Sequence, residues 1–335
     1  MATYKGIQGY TVQKLSDDPT ASEAAGQLWY NSSTGKFKVS VGGAGAWSSG
    51  GLLNTARHWA AGGGIQTAAF VAGGSTPPNT TKNEQYDGTS WTELADLGTA
   101  RYSPGGTGTI TAAIVAGGGT PPMSDKTETW NGTSWTEVNT LGTARYQFNA
   151  ICGTSTAGVI ASGATYPPAA TSPAVESWNG TIWSEVNSLN TSRGRLNQGG
   201  TQTAAIAMGG VTSPYPETGF QKTTETYDGT SWTETNDMNT ARANLSAGTN
   251  SQTSMLIFGG STTTPGTFEA LTESWNGTSW TELADLATGR DNSVGAGASN
   301  GSALNAGGTP SSAAQTNISE EWNDPAYTAK TVTVS

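Results

Sequence analysis

The sequence predicts an all-β fold, a β-propeller of six four-stranded blades, from three observations. A tryptophan recurs six times along the 335 residues, at intervals of 44, 44, 48, 49 and 48 residues. An arginine follows each tryptophan ten residues later. The strand around Trp47 has no repeat before it, and the last repeat, which begins at Arg290, lacks a fourth strand. Repeats of this length bury a core shared with their neighbours, and the two incomplete ends predict one shared blade that closes the ring.

Each repeat carries the same residues in the same order. The recurring tryptophans are Trp47, Trp91, Trp135, Trp183, Trp232 and Trp280. The arginines ten residues later are Arg57, Arg101, Arg145, Arg193, Arg242 and Arg290. A glycine pair, weakened to Ser162-Gly163 in the third copy, lies sixteen to eighteen residues beyond each arginine. The aromatic residues that follow a Glu-x step are Tyr86, Trp130, Trp178, Tyr227, Trp275 and Trp322.

These recurring residues predict four short strands in each repeat. We expect the first strand to follow the arginine and the second to end in the glycine pair, whereas the third and fourth carry the aromatic residues. Asn-Gly or Asp-Gly joins the last two strands, and both turn residues tolerate the positive φ of a tight hairpin. The first two strands thus contain small residues and the last two contain large ones. This pattern is typical of a propeller, because neighbouring blades lie close together near the axis and farther apart at the outside.

The composition narrows the classes of function. The formal net charge is −10 and the sequence pI about 4.6, so we expect no nucleic-acid partner, because phosphate binding needs clustered Lys and Arg. His58 and Cys152 are the single histidine and the single cysteine, which predicts no metal site, no disulfide framework and no cofactor. The N-terminal residues lack an apolar signal-peptide region, and no apolar run is long enough to predict membrane insertion.

The double glycine, followed by Tyr or Trp and then by the recurring Trp, resembles the kelch repeat. The resemblance covers residues 46–322 and implies a kelch-like β-propeller in which the N-terminal strand completes the C-terminal blade. Kelch propellers serve unrelated purposes, so the fold alone leaves the function open.

A second resemblance lies in residues 26–39, Gly-Gln-Leu-Trp-Tyr-Asn-Ser-Ser-Thr-Gly-Lys-Phe-Lys-Val. This segment resembles a hairpin of bacteriophage tail-fibre and other virion proteins, and residues 45–57 resemble kelch-like proteins of marine phages. The resemblance implies a virion structural protein, made in the host cytoplasm, with the propeller on a tail appendage, a fibre or the capsid exterior. The implied partners are other virion proteins in a homo-oligomeric or symmetric assembly, and a host surface glycan or receptor. The alternative is a non-viral kelch adaptor that binds a peptide or protein partner.

The repeats and these resemblances divide the chain into four segments. Residues 1–25 form an N-terminal arm, which we interpret either as an anchor to a neighbouring subunit or as a frayed tail. Residues 26–45 form the hairpin and lead-in, and residues 46–322 form the propeller. The last repeat departs from the pattern at Asn323, so residues 323–335 form a C-terminal tail.

The six recurring arginines are the candidate ligand-binding residues. They begin the first strands, so we expect them to surround the axis near one face, together with loops that join the second and third strands. These loops differ in length, from nine residues at 75–83 to fourteen at 211–224, and loop variation on a rigid scaffold commonly makes a binding surface. Arginine can hold a carboxylate or phosphate bidentately, which favours an anion or glycan. The alternative is that each arginine is tied to a repeat glutamate, such as Glu84, Glu128, Glu176, Glu225 or Glu273.

The sequence predicts no catalytic residues. A galactose-oxidase-like copper propeller needs several His ligands and a Tyr–Cys pair, and this chain has a single His58 and a single Cys152. A sialidase-like glycosidase needs an arginine trio, a tyrosine nucleophile and carboxylates in one pocket. The arginines are present, but no irregular cluster of acids and bases stands out from the repeat, so we expect the protein not to be an enzyme.

Overall fold

The computed structural model describes residues 12–18, 28–42, 45–120, 122–214, 217–248, 251–263, 267–311, 314–324 and 327–332. Within these ranges all regular secondary structure is β, with no helix. The chain divides into two compact units, of which the smaller comprises Met1–Ala46 with Asp324–Ser335 and the larger Trp47–Asn323.

The smaller unit contains one four-stranded sheet. Its strands, in spatial order, are β1 (Gln13–Leu15), β2 (Leu28–Asn31), β3 (Lys36–Gly42) and β34 (Tyr327–Thr331). β1 pairs parallel with β2, whereas β2–β3 and β3–β34 are antiparallel. The sequence analysis treated the hairpin at 26–45 and the tail at 323–335 as separate segments, and the structure pairs them through Lys38 and Thr331. Of the arm at 1–25, all but residues 12–18 lies outside the described residues.

The described part of the larger unit contains six four-stranded antiparallel sheets. Sheet 1 consists of β5 (Ala61–Ile65), β6 (Ala68–Ala72), β7 (Asn83–Tyr86) and β8 (Trp91–Leu94). Sheet 2 consists of β9 (Gly105–Gly108), β10 (Ala113–Ala116), β11 (Thr127–Trp130) and β12 (Trp135–Val138). Sheet 3 consists of β13 (Cys152–Gly153), β14 (Gly158–Ala161), β17 (Val175–Trp178) and β18 (Trp183–Val186).

The remaining sheets follow the same order of strands. Sheet 4 consists of β19 (Asn197–Thr201), β20 (Ala204–Met208), β23 (Thr224–Tyr227) and β24 (Trp232–Glu234). Sheet 5 consists of β25 (Ser246–Ala247), β26 (Met255–Phe258), β27 (Thr272–Trp275) and β28 (Trp280–Glu282). Sheet 6 consists of β30 (Val294–Ser299), β31 (Ser302–Ala306), β33 (Ser319–Asn323) and β4 (Ala46–Ser49).

Among the described residues, two short strand pairs lie between the second and third strands of their repeats, and a third pair flanks the first two strands of the last repeat. They are β15 (Ala164–Thr165) with β16 (Ala170–Thr171), β21 (Val211–Pro214) with β22 (Glu217–Phe220), and β29 (Arg290–Asp291) with β32 (Thr309–Pro310). The first two pairs lie within loops between second and third strands, which were expected to vary in length.

The first strands of neighbouring sheets approach so closely that only small residues fit between them. β5 contacts β9 on one side and β30 on the other. A Cβ on Gly106 would lie 2.9 Å from Cβ of Ala61, and a Cβ on Gly63 would lie 3.2 Å from Cα of Thr107. Such contacts are tighter than close-packed interiors allow, which explains the glycine-rich first strands that the sequence shows.

The outer halves of the sheets are filled by pairs of aromatic rings. The third-strand ring lies beside the fourth-strand tryptophan with centroids 5.0–5.7 Å apart, as Tyr86–Trp91, Trp130–Trp135, Trp178–Trp183, Tyr227–Trp232, Trp275–Trp280 and Trp322–Trp47. The intervening turn is held by its Asn or Asp. Asp87 Oδ1, for example, accepts from the amides of Thr89 and Ser90 at 2.9 and 2.8 Å.

Trp47 occupies the position of a fourth-strand tryptophan in sheet 6. Its Nε1 donates to Oγ1 of Thr272 in sheet 5 at 2.9 Å. Two tryptophans inside the repeats make the same contact with the preceding sheet, since Nε1 of Trp183 donates to Thr127 at 2.9 Å and that of Trp280 to Thr224 at 3.2 Å. The strand β4, which precedes the first complete repeat, therefore packs like a fourth strand of the repeats.

Candidate functional site

The six recurring arginines are buried, with at most 1% of each residue exposed. In Arg193, Nη1 donates to the carbonyls of Gly209 and Thr223 at 2.8 Å each, and Nη2 donates to Oε1 of Glu225 at 2.7 Å. The same ion pair recurs in every repeat, as Arg57–Glu84, Arg101–Glu128, Arg145–Glu176, Arg193–Glu225, Arg242–Glu273 and Arg290–Glu320. The sixth glutamate, Glu320, was not among those the sequence analysis named.

The second carboxylate oxygen of each glutamate binds the linker that leads into its own repeat. Oε2 of Glu225 accepts from the amide of Asn190 at 2.8 Å. The other five glutamates accept from the amides of Asn54, Gly98, Gly142, Asn239 and Ala287 at 2.6–2.8 Å. Each pair thus fixes a linker between two sheets to the next sheet along the chain.

Burial lowers the pKa of all six guanidinium groups, and the facing glutamates counteract that effect. The guanidinium donors are directed at carbonyls and carboxylates inside the fold, away from solvent. This geometry favours the structural alternative from the sequence analysis. Ligand binding by these arginines stays a prediction.

A second ring of residues lies two positions after the arginines. All six have positive φ: Trp59 at 53°, Ser103 at 50°, Gln147 at 65°, Arg195 at 57°, Asn244 at 55° and Asn292 at 53°. The amide of each donates to the carbonyl of its counterpart in the preceding repeat at 2.7–3.0 Å, and Trp59 donates to Asn292. Six hydrogen bonds therefore form a cycle that returns to its start. Non-glycine residues in this conformation are uncommon and cluster at functional sites.

A cavity of about 620 Å³ lies against this ring, and we call it the aromatic cavity. Its wall includes Trp59, Tyr102, Tyr146 and Tyr166. Trp59 and Tyr102 have centroids 5.6 Å apart, and Tyr102 meets Tyr146 edge to face at 5.9 Å. Tyr166 is 59% exposed. A continuous aromatic surface with a few polar groups is the usual character of a site for a small ligand.

The charged group of the aromatic cavity is Arg195. It forms an ion pair with Glu217 on β22. Gln147, with its amide oriented so that Oε1 faces the guanidinium, accepts from Nε and Nη2 of Arg195 at 3.1 and 2.9 Å. Asn149 and Asn244 line the same cavity. Polar donors and acceptors therefore line the aromatic cavity together with its aromatic rings.

A second cavity of about 280 Å³ shares Trp59 and Arg195 with the first, and we call it the polar cavity. Glu217, Asp291 and Asn292 line it. The other residues that line it are His58, Ser261, Thr263, Phe268 and Thr309. Nδ1 of His58 lies 2.6 Å from Oγ1 of Thr309, and the His58 ring contacts that of Trp59 at a tilt of 33°, with centroids 4.1 Å apart.

Burial shifts the pKa of four titratable groups that line the two cavities. It lowers the pKa of His58 to about 4 and raises that of Asp291 to about 7. Glu217 adds to the shift of Asp291, whereas Asn292 and Arg195 oppose it. Burial also raises the pKa of Tyr102 and of Tyr146. His58 is therefore neutral near pH 7, whereas Asp291 changes its charge near neutral pH.

The sequence analysis missed both cavities. About half of their lining residues belong to the pairs that follow the arginines, where the repeats cease to resemble one another: His58-Trp59, Tyr102-Ser103, Tyr146-Gln147, Gly194-Arg195, Ala243-Asn244 and Asp291-Asn292. A variable pair directly after an invariant arginine is the signal that would have identified them. The arginines themselves position this pair and do not line either cavity.

Two further properties concern the described residues alone. They contain no group of three or more His, Cys, Asp or Glu side chains placed to hold a metal ion. None of them forms a helix that is long and apolar enough to cross a bilayer.

No protein-family model and no curated protein matches the chain. Among solved structures it is similar to one titled "Structure of YjhT", a protein with a kelch-like propeller fold, with a TM-score of 0.67. The match covers 80% of this chain and 95% of that chain at 13% sequence identity. The chain has a β-propeller-like fold. At this identity the likeness extends to the fold and not to the two cavities.

Proposed function

We propose that the larger unit is a closed six-bladed propeller in which the N-terminal strand completes the C-terminal blade. The cycle of six backbone hydrogen bonds through Trp59 and Asn292 supports closure. A second contact between sheets 1 and 6 supports it too, because Nε2 of Gln66 donates to the carbonyl of Trp322 at 2.6 Å. β4 lies at the outer edge of sheet 6, where the last repeat lacks a strand.

The propeller acts as a non-enzymatic binding module for a glycan, and the aromatic cavity is the observation that carries this function. Tyr and Trp present an apolar face with a polar edge, which suits the C–H faces and hydroxyl groups of a sugar ring. Arg195, Asn149 and Asn244 supply hydrogen-bonding groups on the same cavity. Its volume of about 620 Å³ lies within the range of roughly 300–1,000 Å³ that is typical of small-ligand sites.

The absence of a catalytic role is part of the same proposal. A general acid or base must reach the proton that it moves. Glu217 is held by Arg195, which in turn donates to Gln147. This arrangement orients the guanidinium for binding, and among the described residues that line the aromatic cavity there is no carboxylate.

The proposed setting of the module is the surface of a phage particle, on a tail appendage, a fibre or the capsid exterior. The support is the resemblance of residues 26–39 to hairpins of virion proteins. In this region of the chain, β2 and β3 form an antiparallel pair. A glycan site fits host attachment, and other virion proteins are the proposed structural partners. Mass spectrometry of purified particles tests this setting, and absence of the chain from them contradicts it.

The glycan site is tested on an array of bacterial surface glycans with the full chain. Tyr102→Ala and Tyr166→Ala remove ring faces from the aromatic cavity, and we expect each to lower the signal at least about tenfold, since aromatic contacts are frequent hot spots. Ile182→Ala is the matched control, because Ile182 is 46% exposed and lines neither cavity. Binding that both tyrosine variants retain at full strength excludes the aromatic cavity as the site.

A further inference from the structure

The polar cavity contains a buried carboxyl group, that of Asp291, which has one oxygen without a hydrogen-bond partner and whose other contact is a side-chain hydrogen bond with Asn292. Asp291 is 4% exposed and forms no ion pair with any described residue. Its Oδ1 has no hydrogen-bond partner, and the same holds for Oδ1 of Asn292, a residue that is 6% exposed. Buried polar atoms are nearly always hydrogen-bonded, so such exceptions call for an explanation. Two unpartnered acceptors on neighbouring residues indicate a missing donor.

The charged groups around Asp291 do not balance the negative charge of its ionised carboxylate. Arg195 is paired with Glu217, so these two charges cancel. His58 is neutral near pH 7 because burial lowers its pKa to about 4. An ionised Asp291 therefore gives the cavity a net charge of minus one. Isolated buried charges are costly unless a partner neutralises them.

We propose that the polar cavity is a second binding site, distinct from the glycan site, which takes the primary ammonium group of a ligand. Such a group carries one positive charge and three donors, and it has no acceptor. It supplies both the charge that Asp291 lacks and the donors that the two Oδ1 atoms lack. Trp59 and Phe268 line the same cavity, and aromatic faces attract cations.

Other ligand classes fit this site less well. A carboxylate or phosphate would be repelled by ionised Asp291, because the positive charge of Arg195 is already paired with Glu217. A neutral hydroxyl would satisfy an acceptor but leave the buried charge unpaired. The choice of an ammonium group therefore follows from the sign of the charge as well as from the hydrogen bonds.

The site makes binding dependent on pH. A cation binds the ionised form of Asp291, whose pKa burial raises to about 7. The affinity for an ammonium ion therefore rises with pH between about 5 and 8, since an alkylammonium with a pKa near that of Lys, about 10.4, stays charged throughout. The other titratable groups that face Asp291 are His58, Arg195 and Glu217, and His58 stays neutral in that interval because burial lowers its pKa to about 4.

The test is a ¹H–¹⁵N NMR titration of the full chain with methylammonium chloride, with methanol as the neutral isostere and constant ionic strength. At pH 8 we expect methylammonium, and not methanol, to shift the Trp59 indole and the Asp291 amide. Asp291→Asn is expected to weaken methylammonium binding at least about tenfold, as loss of a charge partner requires. Glu282→Gln, which removes an exposed carboxylate on β28, is expected to leave the methylammonium affinity unchanged.

The wild-type chain gives a test that does not depend on the folding of a variant. Methylammonium affinity is expected to fall at least about tenfold from pH 8 to pH 5, because the protonated acid offers no charge. Equal shifts from methanol, or an affinity that neither pH nor Asp291→Asn alters, would overturn the proposal. Glycan binding is measured with other ligands, so failure of either proposal leaves the other standing.

Discussion

At the scale of single residues, the arginine–glutamate pairs carry more connections than an ordinary ion pair. Arg101 binds two carbonyls besides Glu128, and Glu128 also accepts from the amide of Gly98 at 2.7 Å. The pair is buried, with 0% and 2% of the side chains exposed. Removal of one partner from a buried pair leaves an unpaired charge, whereas removal of both charges together is far less harmful.

We therefore expect Arg101→Met to lower the free energy of unfolding by roughly 3–5 kcal/mol, the range for a broken buried pair. Arg101→Met combined with Glu128→Gln removes both charges and keeps an acceptor for Gly98, so it loses less than Arg101→Met alone. Urea denaturation measures both variants. The control is Lys126→Met, because Lys126 is 41% exposed in its pair with Glu137 and exposed pairs contribute about 1 kcal/mol or less. A double variant no more stable than the single one contradicts this account.

Asp291 predicts a pH dependence of stability with a definite sign. Its pKa is raised to about 7 in the folded chain from about 3.9 in an unfolded one. The folded state therefore binds more protons between these values, and its stability falls as the pH rises from about 4 to 7 and is constant above that. The span corresponds to an upper limit of about 4 kcal/mol.

Asp291→Asn is expected to remove this pH-dependent part of the unfolding free energy and to leave the variant more stable than wild type at pH 8. Denaturation curves at several pH values between 4 and 8 measure the difference between the two proteins. Glu282→Gln again serves as the control and should run parallel to wild type. A wild-type minus variant difference that stays constant with pH would show that Asp291 does not titrate in this range.

The sequence could indicate the arginine–glutamate pairs but not the cavities. Both members of each pair recur at fixed positions, so an ion pair between them could be proposed from their spacing alone. Trp59, Arg195 and Asp291 come from three different repeats, and only the tertiary fold brings them to one cavity. Glu217 belongs to a loop that no other repeat matches, and its contact with Arg195 is a tertiary one. Non-local contacts of this kind leave no periodic trace.

At the scale of elements, the strand ends follow from backbone requirements. The second strand ends in two residues with positive φ, as at Gly259 (66°) and Gly260 (96°). A Cβ on Gly259 would lie 2.5 Å from the carbonyl oxygen of Arg290. Only glycine adopts this conformation without strain and fits this space. The glycine pairs could therefore be identified in the sequence as the ends of strands.

The third repeat departs from this rule at Ser162. Its φ is 72°, it is fully buried, and its hydroxyl has no hydrogen-bond partner. We expect Ser162→Gly to stabilise the fold by about 1 kcal/mol, as the relief of left-handed strain and of a buried hydroxyl outweighs the flexibility that glycine adds to the unfolded chain. Thermal unfolding measures it, with an expected rise of about 2–4 °C in Tm.

Gly259→Ala is the matched change in the opposite direction, and it should lower Tm. If Ser162→Gly is neutral or destabilising while Gly259→Ala destabilises, the serine at this position contributes something that its hydrogen bonds do not reveal. The short pairs β15–β16, β21–β22 and β29–β32 were not predicted, because two to four residues carry too little pattern to distinguish a strand from a loop.

At the scale of the larger unit, the arrangement of the sheets depends on contacts between the early and late parts of the chain. Trp47 lies beside Trp322, with centroids 5.7 Å apart, and donates to Thr272 of sheet 5. Trp183 makes the equivalent contacts inside the repeats, with Trp178 and Thr127. In a closed ring, the loss of any contact between sheets lowers the stability of the whole ring. The strand β4, which comes earliest in the chain, should therefore contribute as much to stability as an internal strand.

We therefore expect Trp47→Ala to destabilise the larger unit to a similar degree as Trp183→Ala, by roughly 3 kcal/mol, the lower end of the range for Trp→Ala in a core. Both variants should still unfold in one cooperative transition, monitored by tryptophan fluorescence in urea. Ile182→Ala, at a position that is 46% exposed, should stay within about 0.5 kcal/mol of wild type, as surface changes do. If Trp47→Ala behaves like the Ile182 variant, β4 adds nothing to the ring, and the proposal that the two ends of the chain share a blade is wrong. An early low-urea transition in Trp47→Ala alone would mean that β4 detaches separately, which also contradicts a ring that unfolds as one body.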